Sequence, residues 1–385
     1  MDEREPGVTL LVRGVPGGSL DVQVATSTGV GYPVRVGSGV LRQLVPLLKQ
    51  WSPAHQYALI ADAQVFDLHG SRVRELCTAL KSPFSVHTFV PGEERKNRDE
   101  WARLTDELLS EGLGRDGCVI ALGGGVAGDL AGFVAATYMR GVPFVQLPTS
   151  LVAMVDASIG GKTGVDVPSG KNLVGVFHPP RFVLSDADFC ATLPRAERAQ
   201  GLAEALKHGA ILDAPYFGWI EENAVQLLEG EPNATASLVA QSVQLKAQVV
   251  SEDEREAGLR QILNFGHTLG HAIEAESNFL IPHGSAVALG MVLEARLGQR
   301  IGVTRPGVAE RLMNALERLE LPTSLSSVPD PEVLLRLASR DKKSRRGSVR
   351  YVLLSDIGTV DGEGGWSREV DVSEIRSLFE EESSR

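Results

Sequence analysis

The chain has 385 residues, of which 43% are hydrophobic and 23% charged, and its formal net charge is −11 at pH 7. Such a length usually divides into two domains, and the composition is that of an ordinary soluble globular protein. The acidic balance argues against nucleic acid as a partner, because phosphate binding needs a broad basic field. No segment resembles a membrane span or a signal peptide, and three widely spaced cysteines form no disulfide framework, so the sequence predicts a cytoplasmic location.

The first half of the chain has the pattern of a sheet covered by helices. Residues 1–18 are polar and rich in Gly and Pro, which predicts a loose extension. Leu20, Val22 and Val24 then alternate with polar residues, as in a half-buried strand. From about residue 38 to 150, apolar runs alternate with helical patterns, which predicts a parallel sheet. The clearest strand and helix pairs are 57–61 with 65–80, 84–90 with 99–113, and 119–122 with 126–139.

The pattern changes after about residue 195, where long helical stretches continue until a strand signal at 349–354. The predicted fold class is therefore an α/β N-terminal dinucleotide-binding domain with a Rossmann-like parallel sheet, followed by a mainly α-helical C-terminal domain that binds metal and substrate. We place the two domains at 1–193 and 194–385, with the boundary near Leu193 and Pro194.

A glycine-rich loop at 123–128 satisfies G-x-G-x-x-G, follows a predicted strand and opens a predicted helix. Backbone N–H groups at such a helix start can hold a pyrophosphate. Dinucleotide folds usually place an acidic residue about 20 positions further on, but here the next strand ends at Thr149 and Ser150. Either the loop is only a tight turn, or the ribose is held by acids after earlier strands, such as Asp62 or Glu93.

Further charged residues follow the glycine loop. Between 156 and 172, glycines stand beside Lys162 and Lys171, which predicts backbone close to a ligand and ammonium groups that bind anions. Ordinary surface lysines on a solvated loop are the alternative. Glu204 and Lys207 share a helix face, as in a simple ion pair. A carboxylate near two histidines is also the third ligand of an open zinc site.

Three histidines lie within twenty residues, at 267, 271 and 283. His267 and His271 are four apart, so a helix would place them on one face together with Asn264, an arrangement that suits a divalent metal. The zincin protease motif has Glu directly after its first His. This chain has Thr268 there, which excludes a peptidase of that type. A structural helix with surface histidines is the remaining alternative.

Taken together, these segments resemble the sugar phosphate cyclases, and within them the 3-dehydroquinate synthase family. The matching segments, in family order, are PGEERK (91–96), GGGVAGDLAGFVAATYMRGV (123–142), VDASIGGKTGVDVPSGKN (155–172), GLAEALKHG (201–209), GLRQILNFGHTLGHAIE (258–274), HGSAVALGM (283–291) and DKK (341–343). Two departures are small. Thr149-Ser150 stands where the family has Thr-Thr, and Asp166 stands where it often has Asn.

The resemblance implies the metal ligands Glu204, His267 and His283, and so overrules the helical interpretation that would use His271 as a ligand. His271 instead resembles a contact to the substrate phosphate. The other substrate-binding residues implied are Asp156, Lys162, Asn172, Lys207, Lys246, Arg260 and Asn264, with Lys342 or Lys343 closing the site. Lys171 is expected near both nicotinamide and substrate, and Arg140 is expected to cross a dimer interface.

The resemblance likewise implies an NAD site. Its expected residues are Asp62, Glu93, Lys96, Gly124, Gly125, Val126, Ala127, Gly128, Asp129, Thr149, Ser150, Lys162, Lys171, Phe189, Cys190, Ala191 and Thr192.

The implied activity converts 3-deoxy-D-arabino-heptulosonate 7-phosphate to 3-dehydroquinate and phosphate in the shikimate pathway, with NAD and a divalent metal (Zn²⁺ or Co²⁺), in a homodimer. NAD would oxidise a secondary alcohol, phosphate would then be eliminated, and the same NADH would return the hydride before an aldol closes the ring. Three alternatives stay open: a sister cyclase acting on another seven-carbon sugar phosphate, an NAD alcohol dehydrogenase of the glycerol dehydrogenase type, and a non-catalytic protein on this scaffold. The many anion-binding residues weigh against the second, and the intact metal-ligand set against the third.

Overall fold

The structure is a computed structural model that describes residues 12–15, 19–26, 31–325, 331–340, 349–363 and 365–383. The chain divides into two compact units. The first comprises Met1–Pro194 with Gly230–Ser251, and the second comprises Arg195–Glu229 with Glu252–Arg385. The domain limits 1–193 and 194–385 remain a prediction, and the segment 230–251 groups with the first unit.

The first unit is built on an eight-stranded sheet with the strand order β1-β2-β3-β10-β7-β6-β4-β5. Strands β3, β10, β7, β6, β4 and β5 run parallel, and β2 and β1 continue the sheet antiparallel at one edge. A separate antiparallel hairpin joins β8 and β9. The strands of this unit are β1 (Val12–Val15), β2 (Ser19–Val24), β3 (Tyr32–Gly37), β4 (Tyr57–Asp62), β5 (Phe84–Phe89), β6 (Cys118–Gly123), β7 (Phe144–Pro148), β8 (Lys162–Val167), β9 (Gly170–Phe177) and β10 (Val183–Asp186).

Helices connect the parallel strands and cover the sheet. Strands β4 and β6 are buried along almost their whole length, as expected of parallel strands covered on both faces. Leu104 and Leu108 of α4 and Leu130 and Val134 of α5 complete the core against these strands. The helices are α1 (Leu44–Trp51), α2 (Ala63–Val65), α3 (Ser71–Cys77), α4 (Arg98–Ser110) and α5 (Gly125–Thr137).

The remaining helices follow β10 in sequence. They are α6 (Arg195–Leu212), α7 (Ala214–Glu229), α8 (Pro232–Glu252), α9 (His267–Glu276), α10 (His283–Arg300), α11 (Val308–Arg318), α12 (Pro331–Arg340) and α13 (Val372–Ser383). Short strands β11 (Arg350–Tyr351), β12 (Leu354–Asp356), β13 (Thr359–Val360) and β14 (Arg368–Glu369) form two small antiparallel pairs in the second unit. A core of α9, α10, α12 and α13 side chains holds that unit together. Among the helices of the described residues, none combines the length and the apolar character needed to cross a membrane.

The predicted fold class is confirmed, with local corrections. Residues 12–15 form strand β1 rather than part of a loose extension, and the other residues of 1–18 lie outside the described ones. Leu20 of the predicted half-buried strand is 37% exposed, whereas Val22 and Val24 are buried.

The β8–β9 hairpin was not predicted, because its strands are interrupted by glycines. A Cβ on Gly164 would lie 2.7 Å from the Val174 carbonyl oxygen, and one on Gly175 would lie 2.3 Å from that of Thr163. Only glycine permits this close backbone approach, and the same glycines remove the apolar alternation from which strands are recognised.

Candidate functional site

The second unit brings together the three predicted metal ligands. One ligand atom from each of Glu204, His267 and His283 lies within 4.8 Å of the others. Glu204 belongs to α6, and its Oε1 lies 3.4 Å from His267 Nε2 and 3.2 Å from His283 Nε2. The two histidines are the first residues of α9 and α10.

Glycines set the distance between α9 and α10. A Cβ on Gly290 of α10 would lie 1.9 Å from the Gly266 carbonyl oxygen, and one on Gly270 of α9 would lie 2.9 Å from that of Ala286. The helices therefore touch through backbone, which lets the imidazoles of His267 and His283 approach to 5.5 Å between ring centroids.

The donor set of this cluster suits a divalent metal. Burial alone would raise the pKa of Glu204, but Lys207, His267 and His283 hold it well below its ordinary value, so the carboxylate stays ionised. Burial and the nearby Lys207 ammonium lower the pKa of His267 to about 3, which leaves its imidazole neutral. Two imidazoles and one carboxylate are the ligands of open, catalytic zinc sites, which keep positions free for substrate oxygens.

His271 lies beside these ligands but outside their cluster. Its ring centroid is 5.2 Å from that of His267 and 5.9 Å from that of His283. It groups instead with Glu274 and His283, whose ligand atoms also lie within 4.8 Å of one another. Asn264 is not on the helix face of His267, which corrects the sequence interpretation. It ends a separate 3-10 helix, and Gly266 in the left-handed region (φ 77°) turns the chain before α9 begins.

Two buried carboxylates around the histidines were not predicted from the sequence. Glu274 in the last turn of α9 lies 3.5 Å from His283 Nδ1. Glu294 of α10 is fully buried and accepts the N–H groups of Gly266 and Leu269 at 2.7 and 3.2 Å. The HTLGHAIE pattern contains Glu274, one turn after His271, whereas nothing in the local sequence marks Glu294.

Cationic and amide side chains of the second unit lie close to the metal cluster in sequence. Lys207 pairs with Glu204 on α6, as the i,i+3 spacing predicted. Arg260 is only 2% exposed and donates to the carbonyl of Glu254. Asn264 donates from Nδ2 to Glu256 at 2.8 Å.

Asp253 holds the loop that carries Arg260. It accepts the N–H groups of Ala257, Gly258 and Arg260 at 2.9, 2.7 and 3.0 Å. Removal from water opposes ionisation of this carboxyl, but these hydrogen bonds outweigh it and hold the pKa of Asp253 below its ordinary value.

We therefore expect Asp253→Asn to lower the free energy of unfolding by about 1–2 kcal/mol at pH 7. A depressed folded-state pKa stabilises the protein above the unfolded pKa of about 3.9, and this stabilisation is lost as the pH falls through the folded value. The difference from wild type should therefore shrink below about pH 4. Urea denaturation between pH 3.5 and 7.5 measures the difference in free energy of unfolding, with Asp99→Asn, at an exposed position, as the control. A difference that does not change with pH would contradict the assignment to the ionised Asp253 carboxylate.

In the first unit, the glycine loop lies at the carboxyl end of the parallel sheet. Gly123 ends β6 with φ 152°, and α5 begins at Gly125. A Cβ on Gly123 would lie 3.3 Å from Asp62 Cβ, at the end of the neighbouring strand β4. Thr149, after β7, donates its N–H to the Gly123 carbonyl at 2.9 Å. Asp62, the loop and Thr149 thus share the edge where α/β sheets bind ligands.

Lys96 is the centre of a buried charge cluster on the same unit. Its Nζ lies 2.7 Å from Glu93, 3.3 Å from Asp129 and 3.7 Å from Asp166. Burial opposes its charge, but the three carboxylates raise the pKa of Lys96. Burial raises the pKa of Asp129 to about 6 despite the nearby ammonium.

The charge cluster around Lys96 explains how an aspartate is accommodated at position 166, where the family often has Asn. Asp166 Oδ1 accepts the N–H of Asn172 at 2.7 Å, and its own N–H donates to the Lys96 carbonyl at 2.7 Å. Asp166 therefore ties the start of β9, where Asn172 is left-handed (φ 54°), to the segment of Lys96, and its additional charge faces an ammonium group.

Other predicted residues of the first unit are also placed. Lys246 of α8 donates to Asp156 Oδ1 and to its carbonyl oxygen, both at 2.7 Å. Lys162 is exposed at the start of β8, and Lys171 is half-buried in β9. The 3-10 helix Ala187–Ala191 carries Phe189 and Cys190, both of which are buried. The Nε2 atom of His69, a residue not predicted from the sequence, lies 2.8 Å from Thr192 Oγ1.

Helix α5 stops at Thr137, two residues before the predicted end at 139, so Arg140 lies outside it. Met139, Arg140 and Gly141 all have positive φ (51°, 69° and 111°), and Met139 and Arg140 are exposed. Arg140 is therefore exposed on a left-handed turn. Lys342 and Lys343 lie outside the described residues.

Two family models match adjoining parts of the chain. The 3-dehydroquinate synthase N-terminal model matches residues 86–200, and the C-terminal model matches residues 201–344. The chain belongs to the 3-dehydroquinate synthase family. A relative named 3-dehydroquinate synthase from Symbiobacterium thermophilum is 45% identical over 324 residues, which is 84% of this chain and 90% of the relative.

Solved structures of sister enzymes share the fold. A 2-deoxy-scyllo-inosose synthase in complex with carbaglucose-6-phosphate, NAD⁺ and Co²⁺ is 26% identical, with a TM-score of 0.86 over 94% of this chain and 99% of that one. A 2-epi-5-epi-valiolone synthase from Streptomyces hygroscopicus subsp. jinggangensis 5008 with NAD⁺ and Zn²⁺ is 28% identical, with a TM-score of 0.84 and coverages of 94% and 99%.

Membership of the 3-dehydroquinate synthase family confirms the resemblance drawn from the sequence, and with it the class of enzyme, a lyase that acts on a phosphorylated substrate with NAD and a divalent metal. The sister-cyclase and dehydrogenase alternatives are not favoured. The roles of individual residues remain predictions.

Proposed function

We propose that the chain converts 3-deoxy-D-arabino-heptulosonate 7-phosphate to 3-dehydroquinate and phosphate. The observation that carries this proposal is the buried Glu204–Lys207 pair set against the imidazoles of His267 and His283. A metal donor set with an ammonium group beside it suits the oxidation of a hydroxyl group in an anionic substrate. A simple alcohol dehydrogenase has no need for that ammonium.

In this proposal each group has a distinct part. Glu204, His267 and His283 would hold a metal, which would supply Lewis acidity for the oxidation of a hydroxyl group. NAD, when bound, would supply the hydride chemistry. Arg260, buried and planar, suits the substrate carboxylate, and Lys207, Asn264 and His271 suit hydroxyl and phosphate oxygens.

The NAD site is supported by the first unit. The N–H groups at the start of α5 can bind the pyrophosphate. Asp62, adjacent to Gly123 on the neighbouring strand, supplies the acid for ribose hydroxyls that is absent after β7. Glu93, held by Lys96, is a second such acceptor. Lys171 and Lys162 of the hairpin are assigned to the nicotinamide and substrate end, as the resemblance implied.

The identities favour this substrate over those of the sister cyclases. The Symbiobacterium relative shares 45% of matched residues with this chain, whereas the two sister synthases of known structure share 26% and 28%. The cytoplasmic location inferred from the sequence belongs to the same proposal.

The decisive assay incubates purified protein with the seven-carbon acid phosphate, NAD and Zn²⁺. We expect one phosphate released per dehydroquinate formed, with no net accumulation of NADH. Sedoheptulose 7-phosphate serves as the competing substrate. Faster turnover of that sugar would assign the chain to a sister reaction, and one NADH released per product would assign it to the dehydrogenases.

We further propose that the enzyme works as a homodimer to which Arg140 contributes across the interface. The support is the outward, left-handed turn that exposes Arg140. An arginine held in this way can form a bidentate contact to a phosphate bound by a neighbour.

Mixing Arg140→Ala protein with a His283→Ala metal-site variant tests this contribution. If Arg140 acts in trans, heterodimers should recover up to about half of the activity of an intact dimer, because one of their two sites has both the metal ligands and an intact arginine. Each variant alone should remain inactive. Verified heterodimers without recovery would leave Arg140 with a role in its own subunit only.

A further inference from the structure

The imidazole of His283 lies between two carboxylates. Its Nε2 faces Glu204 Oε1 at 3.2 Å, and its Nδ1 faces Glu274 Oε2 at 3.5 Å. Glu204 comes from α6 and Glu274 from the last turn of α9, so the ring is oriented by two separate helices. The Glu274 carboxylate therefore faces Nδ1, the ring nitrogen that points away from the predicted metal position.

Glu274 is not a solvated surface residue. Only 6% of the residue is exposed, and ligand atoms of His271, Glu274 and His283 lie within 4.8 Å of one another. A buried carboxylate is costly unless it is hydrogen-bonded or paired. The contact between the Glu274 carboxylate and His283 Nδ1 therefore offsets part of the free-energy cost of burying this carboxylate.

The two histidines of the metal cluster have different outer partners. His267 Nδ1 lies 3.1 Å from the carbonyl oxygen of Phe265, which is neutral, and its Nε2 faces Glu204. His283 has a carboxylate in the corresponding place. An outer carboxylate fixes the tautomer and the ring orientation of a metal-bound histidine and increases its basicity as a ligand.

We propose that Glu274 is a positioning residue that holds His283 with Nε2 toward the metal and strengthens its binding, without itself contacting the ion. This inference rests on the proposed metal site at Glu204, His267 and His283. It differs from a role in a second metal site made of His271, Glu274 and His283, and from a purely structural role at the end of α9.

The test compares Glu274→Gln and Glu274→Ala with Glu276→Gln, an exposed glutamate two residues further along the same helix. Metal-free proteins are titrated with Co²⁺ and with Zn²⁺ against a chromophoric chelator. Visible absorption of bound Co²⁺ reports its coordination, and thermal unfolding of the metal-free proteins reports the fold.

We expect Glu274→Gln to weaken binding of both metals about 10- to 100-fold. Gln can still accept from Nδ1, so its Co²⁺ spectrum should stay close to that of wild type, whereas Glu274→Ala should bind more weakly and alter the spectrum. The unfolding temperature of the metal-free Glu274→Gln protein and all properties of Glu276→Gln should match wild type.

Each other outcome has a definite meaning. Wild-type affinity in Glu274→Gln, or a weakened affinity that merely follows a lowered unfolding temperature, would overturn the positioning role. Two ions bound by wild type and one by Glu274→Gln would make Glu274 a direct ligand and overturn it as well. If wild type binds no stoichiometric metal, the proposed metal site itself fails, and this result is distinct from metal binding that is insensitive to position 274.

Discussion

His283→Ala protein is expected to fold normally but to lose its bound metal and about a thousandfold or more of its activity. His283 opens α10, and its side chain is 38% exposed. After truncation, Glu274 would keep a ligand atom of His271 within 4.8 Å, so this buried carboxylate retains an imidazole neighbour. Glu204 would keep its ion pair with Lys207. The loss should therefore be confined to the metal and the chemistry that depends on it.

Metal analysis, circular dichroism and the phosphate-release assay on the same preparation measure the bound metal, the fold and the activity separately. Glu204→Ala is the informative contrast, because it leaves the Lys207 ammonium, 2% exposed, without its carboxylate. Breaking a buried pair in this way costs about 3–5 kcal/mol, so that variant should lose stability as well as metal. A His283→Ala protein that retains stoichiometric metal would remove His283 from the ligand set.

Glu294→Ala is expected to cause a large loss of stability, about 3 kcal/mol or more. The Glu294 carboxylate is fully buried and accepts the N–H groups of Gly266 and Leu269. These donors belong to the left-handed turn before α9 and to its first turn. Truncation would leave both buried without an acceptor and would release the segment that carries His267.

Urea denaturation of metal-free protein measures this loss, and Glu276→Ala, exposed on α9, is the matched control. Glu294→Gln keeps one acceptor and should be intermediate. Metal affinity of Glu294→Ala should also fall, because His267 begins the helix that Glu294 caps. A variant of wild-type stability would show that the carboxylate does not hold this turn.

Much of the first unit followed from the sequence alone. Strands β4, β5 and β6 were predicted within one or two residues. For β4 and β6 the reason is that strands buried on both faces appear in the sequence as continuous apolar runs between turns. The glycine loop was found for a similar local reason, since the turn from β6 into α5 requires a positive φ at Gly123. The β8–β9 hairpin was missed because its close backbone contacts replace apolar side chains with glycine.

The sequence also determined which residue types form the metal cluster, through the spacing of its histidines and the family resemblance of its segments. Only the tertiary structure decided how they are held. Asn264 was assigned to the wrong face because the turn at Gly266 breaks the helical period. Glu294 faces that turn, and Glu274 faces His283, because α9 and α10 meet through glycine backbone. Helix periodicity describes neighbours along one helix, whereas the carboxylate that reaches a given imidazole depends on how two helices pack.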